Sequence, residues 1–308
     1  MSADKWFFVI NPVSGRGQGL TVWGRIRSQL DCDDCIYEHA ISAYPKHVLT
    51  LVAEKYHEGF RHFIGIGGDG TLNEMVNAVF SAAAGQPDHH CVFGLLPVGT
   101  GNDWVRSRGS FLTAKNIGFR LKERQFTKHD VGVINANALP QPYYFINVAG
   151  AGIDGAIVQH IQRKRKGHNT GKLAYLMGLI VGLFNYDAPT VSITIAGETF
   201  FSGKPFLISA AKGRYFGGGM QISPQALPDS GSLDITVVKR VGKRKIFPQL
   251  YKLFNGQIDT VSFIQKANTD ALHVTASAPM AIQADGELVA ETTDFSMAVA
   301  SRQIRVLS

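Results

Sequence analysis

The 308-residue chain is predicted to fold as two domains, an α/β domain on a parallel sheet followed by a mainly antiparallel β-sandwich. Two observations predict the first. Up to about residue 125, short apolar runs alternate with amphipathic helical segments, and three of those runs break into glycine-rich loops. Such alternation gives parallel strands covered on both faces, with the loops after the strands gathered at one edge of the sheet. A third observation predicts the second domain: beyond residue 125, strand-like segments follow one another with two helical interruptions. The expected boundaries are 1–125 and 126–302, and 303–308 could rejoin the first domain.

Residues 6–10 are an unbroken apolar run closed by Asn11-Pro12-Val13-Ser14-Gly15-Arg16-Gly17, a buried strand and its loop. Leu20, Trp23, Ile26 and Leu30 recur at helical spacing, 35–41 reads as a strand, and 45–57 as a second amphipathic helix. Residues 61–66 supply a third strand that runs into Gly67-Gly68-Asp69-Gly70-Thr71. A helix over 71–84 follows, with Leu72, Met75, Val76 and Val79 on one face. A fourth strand, 91–96, ends in Pro97-Val98-Gly99-Thr100-Gly101-Asn102-Asp103. The loops 11–17, 67–71 and 99–103 are therefore expected to share a site. In the second domain, strands are expected at 126–135, 143–148, 190–195, 205–211, 232–239, 261–267, 272–276, 280–284 and 294–300. Helical insertions fall around 153–184 and 243–256, and a last strand covers 304–307.

Lys plus Arg number 31 against 24 Asp plus Glu, an excess that favours anionic partners such as a nucleotide or anionic lipid headgroups. Nucleic acid fits poorly, because the basic runs lack interleaved aromatics and no recognised binding motif occurs. The cysteines Cys32, Cys35 and Cys91 are too few for a disulfide framework, which suits a reducing cytoplasm. Asp33 and Asp34, inside the Cys32-x-x-Cys35 spacing, oppose the low thiol pKa of a redox pair. Residues 1–6 run straight into a strand with no basic region, apolar core and cleavage site, so export is not expected, and the longest apolar run, 173–184, is short of the roughly 20 residues of a spanning helix. His89-His90 finds no metal partner, and His129-Asp130 is expected to be an exposed contact at a strand start rather than a catalytic pair.

The stretch 63–74 carries the most chemistry. Gly65, Gly67, Gly68 and Gly70 let the backbone bend and approach a ligand closely. Amides at the following helix N-terminus suit phosphate. Asp69 among them would repel phosphate unless a divalent cation lay between, so Mg²⁺ is expected nearby. Gly65-x-Gly67-x-x-Gly70 also satisfies the dinucleotide fingerprint. It follows the third strand rather than the first, however, Asp69 would face the pyrophosphate, and Asp88 lies in a loop rather than at a strand end. Gly171-Lys172, Gly203-Lys204 and Gly242-Lys243 all lack the next Ser or Thr of a Walker A loop, and no G-x-S-x-G elbow occurs.

Asn11-Pro-x-Ser-Gly15, Gly67-Gly-Asp-Gly-Thr71 and Pro97-x-Gly-Thr-x-Asn-Asp103 are followed by Gly217-Gly-Gly219, Pro224-x-Ala-x-x-Asp-x-Gly231-x-Leu-Asp234 and Gln283-Ala-Asp-Gly-Glu287. In this order they resemble the diacylglycerol kinase catalytic-domain family, especially its bacterial soluble lipid kinases, over nearly the whole chain. The Gly-Gly-Asp-Gly-Thr element alone is shared with NAD kinases and phosphofructokinase relatives; the ordered set is far more specific. The resemblance implies a first domain of NAD kinase/phosphofructokinase type that binds ATP, and a lipid hydroxyl, diacylglycerol-like, phosphorylated in the cleft. It places the nucleotide on Asn11, Pro12, Val13, Ser14, Gly15, Ser42 (in place of the more usual Thr), Gly67, Gly68, Asp69, Gly70, Thr71, Leu72, Asn73, Thr100, Gly101 and Asn102. It makes Asp285, with Glu287, the proton acceptor and gives Asp69 the Mg²⁺, although Asp69 could itself be the base. Asp285-Gly286 also reads as a hairpin turn, and the two roles are compatible.

One departure stands out. Relatives often carry Asp-Asp-Gly and bind a structural Mg²⁺ through the second acid and nearby carbonyls, whereas this chain has Asp229-Ser230-Gly231. A serine is a poor replacement for a carboxylate ligand, so either Asp229 substitutes, or the carbonyls of Leu227 and Ser232 hold a weaker ion, or the site is empty; a weakened site of Leu227, Asp229, Ser230 and Ser232 is the expectation.

Arg163-Lys-Arg-Lys166 with Lys172 precedes the apolar run 173–184, and Lys243-Arg-Lys245 precedes Ile246, Leu250, Leu253 and Phe254 at helical spacing. Both suit peripheral contact with an anionic membrane surface and equally suit solvated charge beside a core helix. Rival functions are a small-molecule kinase of the NAD kinase type and a non-catalytic regulator that binds nucleotide or anionic lipid.

Overall fold

The computed structural model describes residues 5–32, 35–84, 91–99, 101–109, 112–164 and 186–308. They form two compact units, Met1–His129 with Arg302–Ser308, and Asp130–Ser301.

The first unit begins with the wholly buried strand β1 (Trp6–Ile10) and the turn α1 (Ser14–Gly17), where Gly15 and Arg16 adopt left-handed backbone. Then come α2 (Gly19–Cys32), β2 (Tyr37–Ile41), α3 (His47–His57), β3 (His62–Gly67), α4 (Asp69–Ala82), β4 (Val92–Pro97), α5 (Asp103–Arg108) and α6 (Ile117–Glu123). The sheet runs β2-β1-β3-β4 and is parallel throughout, with Phe8 opposite His39 and Ile64. Alternation along β1 divides the core. Trp6, Phe8 and Ile10 meet Trp23, Ile26 and Leu30 of α2 and Ile117 and Leu121 of α6. Phe7, on the other face, packs edge-on against Phe60 and Phe63, and α3 and α4 pack together on that side of the strands. Arg305 and Val306 pair in parallel with Val92 and Phe93, so the last strand does return to this unit. Leu20, expected on the buried stripe, is exposed. Gly19 instead takes the position beneath the Asn11 carbonyl, where even a Cβ would come within 2.2 Å of that oxygen.

The second unit contains most of β5 (Phe126–Ala136), then β6 (Tyr143–Phe145), β7 (Val148–Gly152), α7 (Ile153–Lys164), β8 (Val191–Ile195), β9 (Glu198–Gly203), β10 (Pro205–Ala211), the small pair β11 (Tyr215–Phe216) and β12 (Met220–Gln221), and β13 (Leu233–Lys239). Short helices at Lys243–Ile246 and Lys252–Asn255 precede β14 (Ile264–Thr269), β15 (Ala271–Ala284) and β16 (Glu287–Leu307). Antiparallel pairing runs β14-β13-β10-β7-β15. The first half of β15 pairs with β8, which pairs with β9, and its last residues pair with β7. One long strand thus serves both layers of the sandwich. Between them lies a core of residues such as Ile193, Phe201, Ile208, Ile235, Val274 and Ile282. A second apolar cluster, with Ile153, Phe206, Met220, Ile246, Leu253 and Val261, joins α7, β10 and the short helices.

Three local expectations are corrected. Residues 143–148 form two strands rather than one, because the amides of Ile146, Asn147 and Val148 turn to the Asp285 carboxylate. Residues 272–276 and 280–284 are one strand with its register shifted between Thr275 and Met280, around Pro279, which has no N–H to give the ladder. His129 and Asp130 are buried rather than exposed: Trp104 Nε1 donates to His129 Nε2 at 3.0 Å, and Asp130 meets Lys212. The hairpin β8–β9 was not anticipated; its two-residue turn, Ala196-Gly197, has positive φ at both positions. Among the described residues, no helix is long and apolar enough to cross a membrane, and 173–184 lies outside them.

Candidate functional site

In the first unit the three glycine-bearing loops touch. Asn11 Nδ2 donates to Thr71 Oγ1 at 3.3 Å, and Val13 N donates to Asn11 Oδ1, fixing an Asx turn after β1. Gly15, at φ +58°, lies against the third loop, where a Cβ would meet Val98 Cγ1 at 2.6 Å. Val98 N donates to the Gly67 carbonyl at 2.7 Å. A Cβ on Gly67 would stand 2.2 Å from Thr71 Oγ1, so the strand-to-helix bend requires glycine there. Ser42, buried just after β2, donates its amide to the Ile10 carbonyl.

Asp69 opens α4 and reaches across to a second helix. Its Oδ2 accepts from Asp103 N at 2.8 Å and its Oδ1 from Trp104 N at 3.4 Å, so it caps the N-terminus of α5 from another loop. Asn102, left-handed at φ 49°, donates Nδ2 to the Gly99 carbonyl, and Asp103 Oδ1 accepts from Arg106. Leu72 is core, and Asn73 is buried with its side-chain oxygen accepting from Asn77 Nδ2. Pro12, Val13, Ser14, Gly68, Gly70 and Gly101 are partly or well exposed around these loops, while Thr100 lies outside the described residues. A partly exposed carboxylate such as Asp69 beside these loops is the type of ligand that Mg²⁺ carried by a nucleotide would take, whereas the Asp103 carboxylate is buried and paired with Arg106.

In the second unit Asp285, left-handed at φ 49°, forms the β15–β16 turn with Gly286. Its carboxylate accepts three backbone amides: Ile146 N at 2.9 Å on Oδ2, and Asn147 N and Val148 N, each at 3.0 Å, on Oδ1. Glu287, two residues on, opens β16 and is half-buried. Gln283 bridges inward, its Oε1 accepting from Gly286 N and its Nε2 donating to Asp154 Oδ2, each at 2.9 Å. Asp154, which the motifs did not flag, is joined to that turn through Gln283. It begins α7, is fully buried, and its Oδ1 has no hydrogen-bond partner among the described residues. Burial pushes its carboxyl up to about 7, partly opposed by the Gln283 hydrogen bond. The signal was present as Gly150-Ala-Gly152-Ile-Asp154-Gly155, the same sequence of strand, glycines, acid and helix seen at 63–74.

An apolar cavity of about 70 Å³ lies between β10, β13 and the short helices of the same unit. Phe206, Val238, Leu250, Leu253, Ile258 and Phe263 supply much of its wall. Among the described residues, Gln249 is its one polar lining residue, and Gln249 Oε1 has no hydrogen-bond partner. Outside this cavity, Phe247, Tyr251 and Phe254 are exposed beside Arg244 and Lys245.

The residues named for a structural metal are organised differently. Asp229 is exposed, the Ser232 carbonyl accepts from Lys212 Nζ at 2.8 Å, and Leu227 O accepts from Ser230 Oγ at 3.3 Å. Among the described residues, no three His, Cys, Asp or Glu side chains cluster as a metal site.

Comparison with known proteins covers both units. The pattern described as "Diacylglycerol kinase catalytic domain" matches residues 5–134, and that described as "YegS C-terminal NAD kinase beta sandwich-like domain" matches 147–308. A Yersinia pestis (strain Pestoides F) protein named "Probable lipid kinase YegS-like" is 29% identical over 88% of this chain and 82% of its own length. Among solved structures, a diacylglycerol kinase from Bacillus anthracis str. Sterne has a TM-score of 0.70 at 18% identity, covering 99% of this chain and 97% of that one. An NAD kinase from Archaeoglobus fulgidus in complex with ATP has a TM-score of 0.54 at 12% identity, covering 99% and 93%. These two structures establish the likeness of fold.

Proposed function

Because the chain belongs to the diacylglycerol kinase catalytic-domain family, we propose that it transfers the γ-phosphoryl group of ATP to the hydroxyl of a diacylglycerol-like lipid. The observation that favours a lipid over a nucleotide acceptor is the apolar cavity in the second unit, whose lining, among the described residues, suits hydrocarbon and is polar at Gln249 alone.

Phosphoryl transfer needs positioning, charge neutralisation and a home for the acceptor's proton. The loops at 11–17 and 67–71 and the loop after β4, with the N-terminus of α4, grip the phosphates through backbone amides. Asp69 sets the spacing of two of those loops through its bonds to Asp103 and Trp104. Mg²⁺ bound with the nucleotide, facing Asp69, would neutralise the charge of the transferring group. The three amide bonds already on Asp285 suit it to hold the turn, and Glu287 takes the hydroxyl proton from its place beside that turn. The lipid is met at an anionic surface, to which Arg244 and Lys245 are attracted while Phe247, Tyr251 and Phe254 enter the interface.

The test is phosphate transfer from labelled ATP with Mg²⁺ to a panel of diacylglycerol, monoacylglycerol, sphingoid base, phosphatidylglycerol and NAD, the lipids presented in anionic and in neutral vesicles. Label should enter a lipid, and faster in anionic vesicles. Labelled NAD with no labelled lipid would replace this reading with an NAD kinase. Vesicle binding without transfer to any acceptor would leave a regulator. Equal rates on both vesicle types would remove the surface contact.

A further inference from the structure

Lys212 follows the buried strand β10, and its side chain is fully buried. A lysine ammonium has three N–H donors and no acceptor, and here each donor has its oxygen. Nζ donates to Asp130 Oδ2 at 2.7 Å, to the Ser232 carbonyl at 2.8 Å and to Ser230 Oγ at 3.1 Å. The loop closes around this point. Gly231 N donates to the same Asp130 oxygen at 2.7 Å, and Asp130 N donates to the Pro228 carbonyl at 2.7 Å. Ser230 Oγ lies within hydrogen-bond distance of both the Leu227 and Ser232 carbonyls.

These are the residues that the family resemblance assigns to a structural Mg²⁺, and they do not fit one. Magnesium asks for near-octahedral oxygen at about 2.0–2.1 Å. The Ser232 carbonyl and the Ser230 hydroxyl are instead spaced for an ammonium. A divalent ion beside a buried ammonium would be repelled in a region of low dielectric, where Asp130 is already paired with that ammonium and Asp234 also feels its charge. Charge is already matched: one buried cation, one buried anion, joined at 2.7 Å.

We propose that the Lys212 ammonium is the resident cation of the 227–232 loop, an internal replacement for the divalent ion, so that the second unit needs no metal to hold this loop. The replacement is reciprocal in sequence, since a carboxylate ligand is absent at Ser230 and a cation is supplied at Lys212. Lys212 then acts as a positioning residue for the loop.

Thermal unfolding of the full chain without nucleotide, in millimolar Mg²⁺ and in EDTA, tests this. The natural chain should shift by less than about 1 °C between the two conditions, as expected when no ion binds the folded state. Lys212→Met should lower the Tm by about 10 °C or more, because it leaves Asp130 charged and buried. The double variant Lys212→Asn with Ser230→Asp should regain about 5 °C in Mg²⁺, as expected if an ion fills the vacated position. A natural chain stabilised by Mg²⁺ as much as the double variant would overturn the proposal. So would a Lys212→Met chain that melts within about 2 °C of the natural one, or a double variant indifferent to Mg²⁺. If Lys212→Met does not fold, the response of the natural chain to Mg²⁺ decides.

Discussion

Asp154 gives the fold a built-in dependence on pH. Its carboxyl titrates near 7 in the folded chain, against 3.8 for the unfolded group, because burial disfavours the charge. The folded state therefore holds a proton that the unfolded state has released, and stability falls as pH rises from about 4 to about 7, flattening above the folded value. The full span is about 3 pH units, or roughly 4 kcal/mol as an upper bound. Between pH 5 and pH 8 the share lost is about 2.5 kcal/mol. Asp154→Asn removes the titration and keeps an oxygen to accept from Gln283 Nε2. Urea unfolding at pH 5 and pH 8, followed by a probe in the second unit, should show the natural chain losing about 2.5 kcal/mol more than the variant. Parallel pH dependence in the two, within about 0.5 kcal/mol, would mean that Asp154 is ionised and solvated in the fold, and the burial argument would fail.

The loops and the turn carry three further expected outcomes. Gly67→Ala should weaken nucleotide binding at least about tenfold by titration calorimetry and cost roughly 1–3 kcal/mol of stability, since the new methyl cannot coexist with Thr71 Oγ1 at 2.2 Å; binding within a factor of two would show that the loop adapts. Glu287→Gln should cut turnover about 100-fold or more with the melting temperature unchanged, whereas Asp285→Ala should unfold more readily by roughly 3 kcal/mol or more, having stranded three amides; full turnover in Glu287→Gln would return the proton to another acid.

The first unit was legible nearly element by element because its signals are local. Each strand is a short apolar run punctuated by glycine, and each helix repeats at its own period, so β1, β3 and β4 appear where the pattern puts them. The second unit was legible as strands but not as a layout. Whether 272–276 and 280–284 are two strands or one turns on how Pro279 is bridged by β16, a pairing between distant residues that no window contains. The same limit hid Lys212: a charge after an apolar strand reads as a strand end, and only the fold brings Asp130, 82 residues away, to it. His129 and Asp130 were misplaced for that reason, since polar residues at a strand start look solvated until their buried partners are known.

Asp69 and Asp285 show why a motif acid is an ambiguous guide to chemistry. A loop that bends to expose its amides to a ligand gives up hydrogen bonds along its own backbone, and those lost bonds must be replaced when the segment is buried. A carboxylate from a neighbouring loop is the cheapest replacement, because one side chain accepts several amides and its charge strengthens each bond. Asp69 does this for Asp103 and Trp104, and Asp285 for residues 146–148. Loss of activity on replacing either acid would therefore follow from displaced loops even if neither handled a proton or an ion. Turnover and stability must therefore be measured side by side for every motif acid, Glu287 included, before a loss of activity is assigned to proton transfer.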